Sequence, residues 1–321
     1  MPNYSGSWNL VQQMQAVAAS NWQFPLVPAG TVGIFAIGST AANGYTTTRD
    51  KYIFSGCVNT SASAATIASR YGSAAGNSTV SIFALGATFS GCGISINRDK
   101  YIYSGCLVSA GGSATAASTT GSAAGNSTIG IFALGGITSG GCNSTTRNKY
   151  TYSGCVVSSA TAATANSSAG SAAGNSTVGI FALGFSPNTG STTRDKYTYS
   201  GCVVSSGTAS SAVSTSGSAT GNSTTGIFAL GRNNCFVQTT TRNKYTYSGD
   251  VNASATASSA GTQYGAAAGN ACVGIFALGG CYSTVRNKYT YSGCTSVVAT
   301  AASVGSFGQS AASNGTTGVN V

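Results

Sequence analysis

Six times this sequence sets an arginine and a lysine two residues apart: Arg49/Lys51, Arg98/Lys100, Arg147/Lys149, Arg194/Lys196, Arg242/Lys244 and Arg286/Lys288. Between the two cations stands Asp50, Asp99 or Asp195 in three units and Asn148, Asn243 or Asn287 in the others. Three of the chain's four acids are therefore held between positive charges, and there is no histidine. That inventory supplies no general acid–base pair, no nucleophile triad and no metal-carboxylate cluster, so the sequence predicts a non-enzyme. The fourth acid, Asp250, occupies a position that five other units fill with cysteine.

The net charge of +10 is thus spread as a ring of basic points. One reading is attraction to a polyanion such as nucleic acid, an acidic glycan or an acidic partner lattice. The other is that Arg and Lys solvate one face of a strand and pair with neighbouring units, their stems covering apolar surface. Alternation puts Arg194, Lys196 and Thr198 on one face and Asp195, Tyr197 and Tyr199 on the other. Nucleic-acid sites interleave aromatics and cations on one face, so the second reading is favoured and nucleic acid is not the expected partner.

Ten cysteines are present without a C-x-x-C pair. Cys57, Cys106, Cys155, Cys202 and Cys294 follow the Tyr-Ser-Gly (or Phe-Ser-Gly) turn, Cys92, Cys142, Cys235 and Cys281 lie in variable loops, and Cys272 sits in a turn. Zinc or copper sites are not expected, nor is any cofactor. The post-turn and loop cysteines of one unit lie at opposite ends of a strand, about 25 Å apart, too far for a disulfide within the unit. A repeated Cys reads first as a small buried hydrophobe, with disulfides between loops or adjacent units as the alternative.

The elements that hold these residues recur with a period of about 48 residues, which argues for one array of stacked units over residues 1–321. Units start near Gly33, Ser81, Gly130, Gly179, Gly226 and Gly274. In the fourth, Val178-Gly179-Ile180-Phe181-Ala182-Leu183 reads as a buried strand and Thr193 to Ser200 as a half-buried one. Cys202-Val203-Val204 opens an outer strand, and Ser171-Ala172-Ala173 before the Gly174-Asn175 turn supplies a small-residue strand near a crowded axis. Each unit is a four-stranded antiparallel meander. Tyr4-Ser5-Gly6 resembles an orphan tail and Asn314 to Val319 an orphan head, which predicts a seventh unit split between residues 1–20 and 305–321. The expected fold is an all-β, seven-bladed β-propeller whose last blade is closed by N- and C-terminal strands.

The small-residue strand, the aromatic strand ending in Leu134-Gly135-Gly136 or Leu278-Gly279-Gly280, and the strand with a central Tyr resemble the kelch repeat. The double Gly is complete in only two of six units and the late Trp of kelch units is missing. Gly-Asn-Ser-Thr, Ile-Phe-Ala-Leu-Gly and Asp-Lys-Tyr-Thr-Tyr-Ser are similar to repetitive propellers of bacteriophage and bacterial genomes. This resemblance implies a propeller, and kelch propellers as a class bind partners through rim loops. A copper oxidase is their catalytic exception, and its His ligands are missing here.

From the second aromatic of the Tyr-Ser-Gly strand to the next Gly-Ile-Phe strand the spacing is constant, as from Phe54 to Ser81 and from Tyr291 to Gly318. Length and sequence vary instead in the loop between the second and third strands, on the face that also carries the connections between blades. Tyr45, Phe89, Phe185, Arg232, Phe236 and Tyr282 on that face are the candidate binding residues. The implied role is a structural or binding module in a phage particle or on a bacterial surface, engaging other structural proteins or a surface glycan. A lectin-like module and a polyanion binder are the alternatives. No signal peptide or membrane span is visible, and the sequons at Asn77, Asn126, Asn175 and Asn222 read as turn chemistry.

Overall fold

A short apolar run with a small-residue strand on one side and an alternating Arg-x-Lys-Tyr strand on the other pairs into a twisted antiparallel sheet. The computed structural model describes residues 31–42, 44–88, 93–137, 142–186 and 189–315. In the fourth blade Ser171–Gly174 lies innermost, followed outward by Val178–Ala182, Arg194–Thr198 and Val203–Gly207. The register sets Ala173 opposite Ile180, Gly179 opposite Tyr197 and Tyr197 opposite Val204. The second, third, fifth and sixth blades repeat this order from Ser73–Gly76, Ser122–Gly125, Ser218–Gly221 and Ala266–Gly269.

The first blade is assembled from both ends of the described chain. Ser310–Ser313 is its innermost strand and pairs with Val32–Ala36, which is followed by Arg49–Ile53 and Val58–Ala62. Asn314 completes the join, its Oδ1 accepting from the Val32 amide at 2.9 Å and its own amide donating to the Val32 carbonyl at 3.1 Å. The architecture is the expected β-propeller of four-stranded antiparallel blades with a mixed closing blade.

The closing strands differ from those expected, and so does the count. A closed cycle of main-chain hydrogen bonds circles the axis: Tyr71 N–H donates to Gly308, Gly308 to Tyr264, Tyr264 to Ser216, Ser216 to Ala169, Ala169 to Thr120, and Thr120 back to Tyr71. One residue comes from the entry to each innermost strand, so the described residues form a ring of six blades without a gap for a seventh. An inner strand has one edge to offer on each side, and the outward edge of Ser310–Ser313 is taken by Val32–Ala36. Ser310–Ser313 and Asn314 therefore belong to the unit already begun at Gly33, and residues 316–321 of the expected head lie outside the described residues. Residues 1–20 of the expected split blade lie outside the described residues.

Blades pack face to face through Phe, Tyr, Ile and Ala. Ala75 and Ile82 of the second blade, for example, meet Ala123, Phe132, Tyr150 and Tyr152 of the third. Gly130 permits this approach, since a Cβ there would stand 2.8 Å from the Tyr152 hydroxyl and 3.2 Å from the Ala75 methyl. Among the described residues no helix is long and apolar enough to cross a membrane.

Candidate binding site

The same alternation that buries Tyr197 also buries Arg194, because each third strand has another blade on both faces. All six repeated arginines are at most 2% exposed, so the expectation that Arg solvates a strand face is corrected for that half of the basic ring. Each guanidinium crosses to the next blade. Arg49 donates to Asp99 at 2.7 Å, Arg147 to Asp195 at 2.8 Å and Arg286 to Asp50 at 2.8 Å. Arg98, Arg194 and Arg242 instead reach the Oδ1 of Asn148, Asn243 and Asn287 at 3.1, 3.2 and 3.1 Å. Every one also lies over a phenylalanine of that next blade, from 4.5 to 4.7 Å, beginning with Arg49 over Phe83 and ending with Arg286 over Phe35. Burial lowers all six below the ordinary guanidinium value, opposed in three by the facing carboxylate; without one, Arg98, Arg194 and Arg242 fall to about 10. These arginines weld blades together and offer nothing to a polyanion.

The lysines Lys51, Lys100, Lys149, Lys196, Lys244 and Lys288 stay half-buried. Lys100, Lys244 and Lys288 donate to the sulfurs of Cys155, Cys294 and Cys57 in the following blade at 3.4, 3.6 and 3.6 Å. Where the repeat has Asp250, Lys196 forms an ion pair at 2.8 Å and the Tyr245 hydroxyl donates to the other carboxylate oxygen at 2.8 Å. Partial burial pushes the Asp250 carboxyl up, but those two hydrogen bonds and the lysine charge hold it below 3.8. The five post-turn cysteines, with φ between 48° and 51°, are half-buried and pack against the inter-blade cores, so they act as small hydrophobes at the core's edge and not within it. Among the described residues Cys57, Cys106, Cys155, Cys202, Cys235, Cys272, Cys281 and Cys294 are free thiols.

The variable loops emerge where the connections between blades return to the axis. Bridges such as Thr46 with Ser69 and Ser191 with Ser214 tie the two together. On this face lies a patch of rings and guanidiniums. Arg70 stacks between Tyr45 and Tyr71 at 4.5 and 4.7 Å. Tyr71 meets Tyr264 at 4.9 Å, and Phe307 touches Tyr71, Tyr264 and Tyr282 at 5.8, 5.0 and 5.7 Å. Arg232 lies over Tyr264 and Phe236 at 5.2 and 5.1 Å, and its Nη2 donates to the Tyr264 hydroxyl at 3.2 Å. Arg70 and Arg232 are the only two basic residues outside the repeated pairs.

Tyr45, Arg232, Phe236 and Tyr282 are thus gathered with Arg70, Tyr71, Tyr264 and Phe307, four residues marked in the sequence only by breaking the repeat. Phe185 belongs to the same face but pairs through its backbone with Ser168 in the fourth blade, away from the patch. Phe89 lies outside the described residues. The patch spans the first, second, fifth and sixth blades, whereas the third and fourth place Thr120 and Ala169 at the equivalent ring positions.

Tyr71 and Tyr264 also form the rim of an axial cavity of about 70 Å³. Ser73, Ser122, Ser171, Ser218 and Ser310 ring it, one from each of five blades, with Ala266 in the sixth. Gly72, Gly121, Gly170, Gly217 and Gly265 precede these residues, and at the sixth position stands Gln309. Gln309 is 5% exposed, and neither atom of its side-chain amide has a hydrogen-bond partner.

No family model matches the chain, and no curated protein matches it. Solved structures do. TolB from Acinetobacter baumannii aligns with a TM-score of 0.59 at 11% identity, over 94% of this chain and 71% of that one. YjhT aligns with a TM-score of 0.62 at 11% identity, over 86% of this chain and 98% of that one. Likeness at such identity carries the propeller fold and leaves the activity to this chain's own residues.

Proposed function

We propose that this chain is a non-catalytic, kelch-like propeller that engages a partner through the loop face around one end of its axis, as a component of a phage particle or bacterial surface assembly. The supporting observation is the asymmetry of the patch. Random drift in a repeat protein scatters departures from the consensus, whereas here the two unpaired-repeat arginines and six aromatics converge on four neighbouring blades. Aromatic and Arg side chains are the types that dominate binding energies at interfaces. The low-charge, Ser/Thr/Gly-rich exterior suits a durable exposed component. The lectin-like reading draws on the exposure of Phe236 and Tyr282, 62% and 40%, aromatic rings of the kind that stack on sugars.

Hydroxyl-radical footprinting of the chain, free and in its native particle, tests the proposal. Protection of Phe236, Tyr282 and Tyr45 in the assembled state is expected. Protection confined to the Asn-turn end of the axis would overturn it. A glycan array probed with the wild type and a Phe236→Ser/Tyr282→Ser variant decides the sugar-binding alternative.

A further inference from the structure

We infer that the axial mouth is a binding site for a tetrahedral oxyanion, a phosphate or sulfate group, carried by the ligand of the loop face. This rests on the reading of that face as the partner surface and adds the chemistry of what it takes.

Charge is the first ground. Arg70 and Arg232 flank the touching pair Tyr71 and Tyr264, so both guanidiniums stand beside the mouth. All four carboxylates of the chain are committed elsewhere, Asp50, Asp99 and Asp195 to buried arginines and Asp250 to Lys196. No aspartate of the chain is therefore left for either mouth arginine. Two uncompensated guanidiniums held by aromatic stacking are pre-organised for an incoming anion.

The interior supplies the second ground. The N–H groups of Tyr71, Thr120, Ala169, Ser216, Tyr264 and Gly308 at the mouth are used by the closed hydrogen-bonded cycle, and side chains below them are placed to meet a ligand. Five serine hydroxyls and the Gln309 amide line the cavity, and each can donate. A buried amide without a partner is destabilising. Five blades avoid any side chain at this position by using glycine, so the placement of Gln309 in the sixth is explained by a group that accepts from it. Space for several waters, at roughly 10–15 Å³ each, suits a single oxyanion head and is far below the roughly 300 Å³ of a pocket for a whole ring. A sugar or base would rest on the aromatic rim while its phosphate or sulfate entered the mouth.

Isothermal calorimetry of the full chain with inorganic phosphate, inorganic sulfate and phenyl phosphate tests this at low ionic strength. Saturable one-to-one binding is expected, tighter for phenyl phosphate because its ring stacks on the rim. Arg70→Gln and Arg232→Gln should each weaken it about tenfold, the loss of one charge-assisted contact. Gln309→Gly installs the residue of the other five blades, keeps the fold, and should weaken binding severalfold. Lys149→Gln, on the outer part of the third blade, should leave it within a factor of two, which separates a site from a general positive field. Absence of saturable binding, or equal weakening by Lys149→Gln, would overturn the inference. If footprinting still places the partner on the loop face, the proposal of a partner surface stands and only the oxyanion fails.

Discussion

The three buried arginines that face an amide invite the substitution Asn148→Asp. Arg98 is 2% exposed and donates to Asn148 Oδ1 at 3.1 Å, where Arg49 in the preceding blade donates to Asp99 at 2.7 Å. The fall of Arg98 from 12.5 to about 10 corresponds to at most about 3 kcal/mol of disfavoured charging. A carboxylate recovers part of that, because the arginines facing Asp are lowered as well. The site is already shaped for it. Thr66 donates to Asp99 through its amide at 3.0 Å and its hydroxyl at 2.5 Å, and Thr115 stands in the same relation to Asn148, its amide donating at 3.0 Å. The Thr115 hydroxyl now accepts from Asn148 Nδ2 at 2.7 Å and has only to rotate to become a donor.

A fully hydrogen-bonded charged pair replacing a half-charged one should therefore stabilise the fold by about 1–2 kcal/mol at pH 7. Urea denaturation read by circular dichroism measures it, with an unchanged m-value showing that the native state alone has shifted. The converse, Asp99→Asn, should cost about the same and still fold, since three blades already use that arrangement. Asp99→Ala leaves a buried guanidinium uncompensated and should cost about 3–5 kcal/mol. If Asn148→Asp is neutral or destabilising, desolvation of the new carboxylate cancels its attraction for Arg98, and the ion pairs are not what holds one blade to the next.

Gly308→Ala should destabilise by about 1–2 kcal/mol, because φ is +68° there and the new Cβ would lie 2.9 Å from Tyr71 Cδ1; near-ultraviolet circular dichroism should report the displaced tyrosine, and an unchanged spectrum refutes the packing. Asp250→Cys restores the repeat residue at a site more than a third exposed, so the lost ion pair should cost under about 1 kcal/mol in thermal unfolding. Burial raises Tyr152, Tyr199 and Tyr247 above 10.0. A phenol raised in the fold stabilises it below its unfolded value and withdraws that as pH climbs toward the folded one, so stability should decline above pH 10. The six buried arginines, all lowered, act in the opposite sense above about 10, but twelve phenols are raised against them. Tyrosinate absorbance should thus appear together with loss of the strand signal; ionisation of these phenols in an intact fold would refute it.

How far residues alone carried the structure follows from how local each decision was. Strand identity and order were readable because period-two alternation and Asn turns are settled within a dozen residues; Asn175 shows it, its Oδ1 accepting from the Thr177 and Val178 amides at 2.9 Å. The Asn175 side-chain amide also donates to Ser223 of the next blade at 3.1 Å, a contact that no single unit could announce. Blade number was the first decision that was not local. Ser310–Ser313 pairs with Val32–Ala36 from the other end of the described chain, so counting motifs in order assigned the two ends a blade of their own where the ring of described residues holds six.

The fate of the arginines was the second. Alternation correctly separated Arg194 from Tyr197, but in a propeller both faces of a sheet are covered, so the polar face of one blade became the interior of the interface with the next. Asp and Asn in the opposite wall help to make that burial tolerable, and those partners lie about one repeat away in the chain. The binding patch was half visible for a related reason. Loop aromatics drew notice by standing in the variable segment, whereas Arg70, Tyr71, Tyr264 and Phe307 lie in connections of constant length and reveal themselves only by interrupting a repeat. In a ring built of near-copies, symmetry is the structural default. Function is to be sought where one blade refuses the residue its neighbours share, as Gln309 does among five glycines and Tyr71 and Tyr264 do opposite Thr120 and Ala169.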